Sequence, residues 1–439
     1  MSRHIRTGGS GQRRQLPGQP ASRLLAAGAV LTAAGLLLTA CSGSPAASPA
    51  ARASASASAA KAAGPQLTIT PAPGSRHARP DHGITVSTSD GKITKVRVRT
   101  AGDEVTGTMN ATDTAWHSTW ALDVSQSYTV TATATDAKGH SRTVTSRFRT
   151  LTPAQTNEMM IFEGEEQTYG VGMPIILTFS RPVVNKAAVE RSLQVETSKP
   201  VTGSWYWDGD QALDFRPENY WPAHTHVSFT GHLNGVQEAP GVYGGHTLNQ
   251  SFKIGDSLIV VASTSSHSMK LYKNGSLLHR WPISTGKPGD NTPNGTYLTI
   301  EKGNPVLMKG PGYRLKVPWS VRFTFSGDYL HDAYWSVNQQ GFANVSHGCV
   351  NMAPANAKEY YKMAVPGDPV TVIGSPRAGK WDNGWTEWFL SWHKYLKGSA
   401  LDKAVQAGPD GSTFVDPATV PGPASAPIGA PDPGNWAAA

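Results

Sequence analysis

Hydrophobic and polar residues alternate with a period of two through much of the chain between residues 67 and 373. Residues 84–87, 95–99 and 128–132 show this alternation, and turns that contain Gly or Asp separate them. A period of two places successive side chains on opposite faces of a strand, so each segment predicts a short β-strand with one buried face. Short strands at this spacing are typical of β-sandwiches, and we therefore predict a mainly β protein.

Changes in composition divide the chain into domains. The predicted strands form two Ig-like β-sandwich modules, over residues 67–150 and 151–255, and a third β-sandwich over residues 256–375. Neither module has the Cys and Trp pattern of antibody domains, so the likeness is one of architecture. A chain of 439 residues is too long for a single core, which agrees with several domains.

One short helix is predicted near the end of the third domain. Pro354 fits its first position, because the amide that proline lacks would have no partner there. Ala357, Tyr360, Tyr361 and Ala364 would then share one face of the helix. An apolar strand is predicted to follow it and to close the domain.

Two segments follow the third domain. Residues 376–400 contain four tryptophans spaced three or four residues apart, which predicts a short amphipathic segment that packs back on the third domain. Residues 401–439 are rich in Pro, Gly and Ala, and we predict a disordered tail there.

The first 40 residues predict an export signal. Five arginines precede an apolar stretch at residues 24–40, which is shorter than the roughly 20 apolar residues that a membrane-spanning helix needs. The stretch ends in Leu-Thr-Ala before Cys41 and resembles a bacterial lipobox. That resemblance implies cleavage before Cys41, a lipid on its thiol, and a membrane anchor at the outer face of the plasma membrane, in the cell envelope facing the cell wall. A plain signal peptide and an uncleaved anchor are the alternatives.

The charge and the composition after the signal narrow the choice of partners. Residues 41–66 are mostly Ala, Ser and Pro, which predicts a lipidated, flexible tether. The net charge is +8, but the Lys and Arg residues beyond the signal are dispersed rather than clustered. Because nucleic-acid-binding proteins concentrate basic residues in a patch, we expect no nucleic-acid partner.

Cys349 is the main candidate for chemistry. The chain has two cysteines, and a lipid on Cys41 would leave Cys349 without an intramolecular partner in an oxidising compartment. A thiol attacks as thiolate and needs a base to take its proton, for which His331 and His347 are the candidates. Gly348 would let a substrate approach closely, and nearby amides could form an oxyanion hole. The alternatives are an inert buried cysteine and a zinc site that uses both histidines and the thiol.

The run from Ser346 to Asn351, Ser-His-Gly-Cys-Val-Asn, resembles the signature of the L,D-transpeptidase (YkuD-type) catalytic domain. His331 stands upstream at the family's spacing, and residues 292–297 resemble the family's Thr-Pro-x-Gly segment. The resemblance covers residues 257–373, and the upstream modules and lipobox are similar to the layout of actinobacterial, mycobacterial-type members. It implies an enzyme without a cofactor or a metal.

The resemblance also implies a role for individual residues. Cys349 matches the nucleophile and His331 the general base, and Asp332 matches the residue that contributes a backbone carbonyl. The remaining matches are oxyanion-hole amides at His347, Gly348 and Cys349, flap positions at Tyr313 and Met308, and pocket-lining positions at Trp335, Ser346 and Asn351.

The implied reaction has two steps. The Cys349 thiolate attacks a peptidoglycan tetrapeptide stem, releases D-Ala and forms a thioester, which is reasonable because a thiolate is both a nucleophile and a leaving group. A side-chain amine of a second stem then attacks, and a 3→3 cross-link results. Hydrolysis of the thioester, another cysteine acyl-transfer enzyme of the sortase or NlpC/P60 type, and a non-catalytic wall-binding lipoprotein are the competing hypotheses.

Overall fold

A computed structural model describes residues 64–310 and 312–419 of the chain. The predicted signal, Cys41 and the tether up to residue 63 lie outside the described residues, as do residues 420–439. Within the described ranges the protein is predominantly β, as predicted. No helix in this part of the chain is both long and apolar enough to cross a membrane.

The first module is a sandwich of two antiparallel sheets. Its strands are β1 Leu67–Thr70, β2 Thr85–Thr88, β3 Lys92–Arg99, β4 Gly107–Met109, β5 Ala115–Ser118, β6 Ser127–Thr135 and β7 Ser141–Arg149. One sheet has the order β1-β2-β5-β4 and the other β3-β6-β7. In β6 every second residue from Tyr128 to Ala134 is buried, so the alternation seen in the sequence marks the face that covers the core.

The second module has a larger core that is rich in aromatic residues. Its elements are β8 Gln155–Asn157, β9 Met159–Ile161, β10 Thr168–Tyr169, β11 Ile175–Phe179, α1 Lys186–Arg191, β12 Leu193–Thr197, β13 Val201–Asp208, β14 Ala212–Pro217, β15 His226–Gly231, β16 Gln237–Ala239, β17 Val242–Gly244 and β18 Leu248–Ile254. Its core extends beyond the module, because Ile259 and Leu298 of the third domain belong to the same buried cluster. The second module and the third domain are therefore packed together without a linker.

The third domain contains two sheets and a hairpin. Its elements are β19 Leu258–Ser263, β20 Ser268–Lys273, β21 Ser276–Pro282, β22 Gly295–Leu298, β23 Glu301–Gly303, β24 Val306–Gly310, β25 Tyr313–Val317, β26 Ser320–Arg322, β27 Tyr329–Asp332, β28 Val350–Met352, α2 Pro354–Met363 and β29 Pro369–Ile373. The sheets have the orders β21-β20-β19-β29-β22 and β23-β26-β27-β28, and β24 pairs only with β25. The helix α2 begins at Pro354 as predicted, and it buries Ala357 and Tyr360 against the core.

The Trp-rich segment packs mainly on the second module, so the prediction that it packs on the third domain is incomplete. A 3-10 turn, Glu387–Phe389, and the helix α3, Trp392–Leu396, form this segment. Trp388 donates from Nε1 to the carbonyl of Gly172 at 2.8 Å, and the guanidinium of Arg216 lies 4.4 Å from the Trp388 ring. Phe389 and Asn383 contact the third domain: the ring of Phe389 lies 5.0 Å from that of Tyr297, and Asn383 donates to the Ser326 hydroxyl at 3.0 Å. Arg216 is a buried residue of β14, and its contact with Trp388 helps to hold the segment on the second module.

The prediction of a disordered tail from residue 401 is wrong for residues 401–419. Two strands form there, β30 Ala404–Gly408 and β31 Gly411–Val415. β30 pairs antiparallel with β13 of the second module, with Val201 opposite Ala407, and it buries Ala404, Val405 and Ala407. A Gly- and Ala-rich segment is ordered here because an unpaired edge strand of another module supplies its hydrogen bonds.

Candidate active site

The parallel pairing of β27 with β28 brings the two main candidates together. Its register places His331 opposite Asn351 and Leu330 opposite Val350. Cys349 directly precedes β28 and therefore lies about two residues, roughly 7 Å, before the level of His331 along the strands. The chain between the two strands is a loop that follows the 3-10 turn Tyr334–Gln339. Residues 18 positions apart in sequence thus become neighbours at one edge of a sheet.

His331 is held as a neutral imidazole. Only 4% of its surface is exposed, and Nδ1 lies 2.7 Å from the backbone carbonyl of Asp332. A carbonyl only accepts, so Nδ1 carries the proton and the lone pair is left on Nε2. Burial lowers the pKa of His331 to about 4, and the ring stacks on Trp335 at a centroid distance of 5.8 Å. The side chain is suited to accept a proton at neutral pH.

Cys349 is held as a thiol. Burial, followed by the negative charge of Asp328, raises the pKa of Cys349 to about 12, although the Tyr329 amide opposes this. The sulfur lies 3.9 Å from the carbonyl of Gly327. With these pKa values thiol and imidazole are both neutral at pH 7, so no ion pair is formed in advance. The proton would move as the sulfur attacks its substrate.

His347 has a different environment from His331. Its side chain is exposed, and Lys287 Nζ donates to its Nε2 at 3.0 Å. Its ring stacks on Tyr313 at a centroid distance of 5.0 Å. With Nε2 occupied by an ammonium group, His347 is poorly placed to take the thiol proton, and it links the catalytic loop to the β24–β25 hairpin instead.

The β24–β25 hairpin carries Met308 and Tyr313, the two residues that were expected on a flap. Tyr313 begins β25, and burial raises its pKa. Met308 pairs with Leu315 and lies on the less exposed face of the hairpin, whereas Leu307 and Lys309 are exposed. Among the described residues the hairpin pairs with no other strand, and the stack of Tyr313 on His347 joins it to the loop before Cys349.

The loop before the nucleophile has a fixed conformation. Gly348 has φ +128°, and a Cβ there would collide with Oδ1 of Asp328, so no other residue fits. The Ser346 hydroxyl donates to the carbonyl of Cys349 at 2.6 Å and accepts from the Gly348 amide at 3.2 Å. The Gly348 amide, which was expected to serve an oxyanion, is therefore already bonded to Ser346. Asn351 donates to Ser336 Oγ at 2.9 Å.

The zinc alternative requires His331, His347 and Cys349 as ligands. Nε2 of His347 is instead engaged by Lys287. Among residues 64–310 and 312–419, His, Cys, Asp and Glu side chains form no group of three or more that could hold a metal ion. The zinc alternative thus finds no support in the described part of the chain.

Comparison with known proteins shows which family the chain resembles. Residues 257–372 match the L,D-transpeptidase catalytic domain, and residues 75–237 match a bacterial Ig domain. L,D-transpeptidase 5 of Mycobacterium tuberculosis is 33% identical over 350 residues, which cover 77% of this chain and 77% of that protein. The chain belongs to the L,D-transpeptidase family. The family expected from the sequence is thus confirmed, and the sortase and NlpC/P60 alternatives are excluded.

Other members of the family share the catalytic half of this L,D-transpeptidase. L,D-transpeptidase 1 of Mycobacterium tuberculosis is 40% identical over 215 residues, which cover 47% of this chain and 80% of that protein. A solved structure of the LD transpeptidase LdtMt1 in complex with imipenem is 38% identical, with a TM-score of 0.42, and covers 49% of this chain and 97% of that one. The match to the bacterial Ig domain crosses the predicted boundary at residue 150 and so spans both modules.

The Thr-Pro-x-Gly segment of this L,D-transpeptidase supports the catalytic loop. Thr292 is buried, and its hydroxyl donates to the carbonyl of Gly348 at 2.7 Å and accepts from the amide of Gly286 at 2.9 Å. Asn294 bonds both backbone polar groups of Ser375. One threonine hydroxyl thus fixes the residue next to Cys349.

Replacing Thr292 with Val is expected to slow acylation of Cys349 roughly 10- to 100-fold, because a buried carbonyl and a buried amide lose their partner. The rate is measured from the mass of the acylated protein over time. Thr296→Val is the matched control, since its buried hydroxyl pairs only with Thr371, at 3.0 Å. Equal rates in both variants would contradict this role of Thr292.

Sequence reasoning missed two residues of the site. Asp328 lies at the start of β27, 7% exposed, against Gly348. Asn344 accepts from the Thr285 hydroxyl at 2.8 Å and from its amide at 3.0 Å, and it holds the loop that leads to the nucleophile. Both stand where Asp and Asn are ordinary turn residues, so no signal in the sequence separated them from other loop residues.

Proposed function

We propose that this L,D-transpeptidase is a cysteine acyltransferase that forms 3→3 peptidoglycan cross-links. It would release D-Ala from a tetrapeptide donor stem and carry the stem as a thioester on Cys349. The observation that carries the proposal is the neutral His331, whose Nδ1 is bonded to a carbonyl so that Nε2 is the basic atom, on the strand next to the half-buried thiol of Cys349. An imidazole fixed in one tautomer beside a thiol is the arrangement by which a base activates a nucleophile, and a protein that only binds the cell wall does not need it.

The first step is acylation. As the Cys349 sulfur attacks the carbonyl between the third stem residue and D-Ala, its proton passes to Nε2 of His331. The Asp332 carbonyl stabilises the imidazolium through the hydrogen bond to Nδ1. The C–N bond then breaks, the leaving amine of D-Ala takes the proton from His331, and the thioester remains.

The second step transfers the stem. A side-chain amine of a second stem, proposed to be that of diaminopimelate, attacks the thioester carbonyl. His331 takes a proton from the attacking nitrogen, the C–S bond breaks, and the thiolate recovers the proton. His331 thus acts as base and then as acid in each step, and the enzyme returns to its starting state.

The surroundings of the reaction are also part of the proposal. The partners would be donor and acceptor stems of peptidoglycan, and a lipid on Cys41 would hold the protein at the outer face of the plasma membrane. Tyr313 and Met308 on the flap, with Trp335 on the His331 side, would line the donor pocket. Carbapenems would acylate Cys349, because a strained lactam carbonyl meets the same nucleophile as the natural donor.

The product of the reaction tests the proposal. The purified full chain is incubated with a disaccharide-tetrapeptide, and the products are separated and sequenced by tandem mass spectrometry. We expect 3→3 dimers together with free D-Ala in equal amounts. Tripeptide alone would show hydrolysis instead of transfer, and an unchanged substrate would favour a non-catalytic wall-binding protein.

A further inference from the structure

Asp328 is a buried carboxylate at the active site that the two-step mechanism does not use. It follows the turn between β26 and β27, and its backbone carbonyl accepts from the Phe323 amide at 3.0 Å. Only 7% of its surface is exposed. Its negative charge raises the pKa of both Cys349 and Tyr313, so it acts on the nucleophile and on the flap.

The two oxygens of Asp328 have different surroundings. Oδ2 accepts from the Thr324 hydroxyl at 2.7 Å and from the Ser326 hydroxyl at 3.2 Å. Oδ1 lies directly over Gly348, where it excludes a side chain. Among the described residues no donor lies within hydrogen-bonding distance of Oδ1. One oxygen is thus anchored, while the other faces the residue that precedes the nucleophile.

Asp328 also has no cationic partner among the residues the structure describes. The charged neighbours of the site are paired elsewhere: Lys287 bonds His347 and contacts Asp290, and Arg322 pairs with Glu301 at 2.9 Å. A buried charge without a counter-charge is costly, and it also disfavours the thiolate. The unpaired carboxylate of Asp328 thus makes acylation of Cys349 harder. This cost has a physical reason if a substrate brings the cation that pairs with Asp328.

We propose that Asp328 binds the ammonium group of the acceptor amine and holds its nitrogen beside the thioester before the attack. This inference rests on the proposed transpeptidation and assigns the acceptor side of the same site. The ligand class is a primary aliphatic amine, which is charged at neutral pH. D-Ala, the leaving group of the first step, has no need of this contact.

The proton balance of the step is simple. The bound ammonium group loses one proton to water and becomes a neutral amine with a free lone pair. The nitrogen attacks the thioester carbonyl, His331 takes a second proton from it, and the C–S bond breaks. The thiolate takes the proton of His331, which restores the starting state of the enzyme.

The test compares two amines that differ in charge. Transfer is measured for wild type and for Asp328→Asn, with the disaccharide-tetrapeptide as donor. The acceptors are a tripeptide stem that ends in diaminopimelate and hydroxylamine, which is uncharged at neutral pH. We expect Asp328→Asn to lower the ratio of the transfer rate with the tripeptide to the transfer rate with hydroxylamine roughly 10- to 100-fold.

The ratio of the two rates within one variant decides the result. Partly unfolded protein lowers both rates equally, so the ratio is insensitive to a loss of folded enzyme. Asp328→Glu, which keeps the charge, is expected to retain a preference for the tripeptide. Glu301→Gln, in the same sheet but paired with Arg322, is the matched control and is expected to keep the wild-type ratio.

Three outcomes are distinguishable. A fall in the ratio confined to Asp328→Asn supports the inference. An unchanged ratio overturns it, even if Asp328→Asn acylates faster than wild type, because Asp328 would then only tune the thiol. A wild-type protein that forms no thioester refutes the proposed function itself, which is measured separately by the mass of the acyl-enzyme.

Discussion

Cys349→Ala is expected to lose acyl transfer by roughly 10⁴-fold or more, because the proposed thioester forms on the Cys349 sulfur. The described residues contain Cys349 as their single free cysteine. The substitution removes a half-buried sulfur that contacts the Gly327 carbonyl at 3.9 Å and the Tyr329 amide, so the fold should survive. Intact-protein mass spectrometry after incubation with a carbapenem measures the effect directly, since one adduct is expected on wild type and none on the variant.

Cys349→Ser is the matched control for this experiment. It keeps the size and polarity of the side chain but replaces the thiol with a hydroxyl that ionises less readily, so we expect at most slow adduct formation. Equal melting temperatures of the three proteins show that the fold is unchanged. An identical mass shift in Cys349→Ala would place the nucleophile elsewhere and would remove the basis of the proposed function.

His331→Ala is expected to slow acylation of Cys349 about 10²- to 10⁴-fold at neutral pH, because the thiol loses its proton acceptor. The wild-type rate should fall only as the pH drops through about 4, where His331 becomes protonated and ceases to be a base. The variant must rely on the free thiolate. Its rate should therefore rise about tenfold per pH unit toward the pKa of Cys349, which is about 12.

The pH profiles of acylation are measured by quenched-flow mass spectrometry between pH 4 and 10. His279→Ala is the control, because this histidine lies in the same domain but bonds Glu359 on the surface. His347→Ala distinguishes the two histidines that the sequence left open. A larger loss in His347→Ala than in His331→Ala, or a flat profile for His331→Ala, would identify another base.

The sequence predicted the strands well wherever one face of a strand covers a core. The alternation in β6 is visible because Tyr128 and Val130 point inward while their neighbours face solvent. The same reasoning failed for β30, whose Ala and Gly residues carry little hydrophobic signal. The strand β30 is ordered because it pairs with β13, about 200 residues earlier in the sequence. A local sequence pattern carries no information about so distant a partner.

The candidate site was predictable in its chemistry but not in its surroundings. Cys349, Gly348 and His331 stand in a recognisable run, and the β27–β28 register explains why they meet. The predicted use of the Gly348 amide overlooked Ser346, whose hydroxyl turns back on the loop. Asp328 escaped notice because burial, which makes a carboxylate unusual, is a property of the folded chain.

The pairing of β30 with β13 makes the catalytic domain an insertion within the second module. The sheet β31-β30-β13-β14-β11-β9 contains strands from both sides of residues 256–375 in the sequence. During synthesis the first module can fold as soon as it emerges, whereas this sheet must wait for the residues that form β30. Until then β13 exposes an open edge, which is prone to pairing with other chains. A fragment cut after residue 375 would keep the whole catalytic signature and still leave its neighbouring module unfinished.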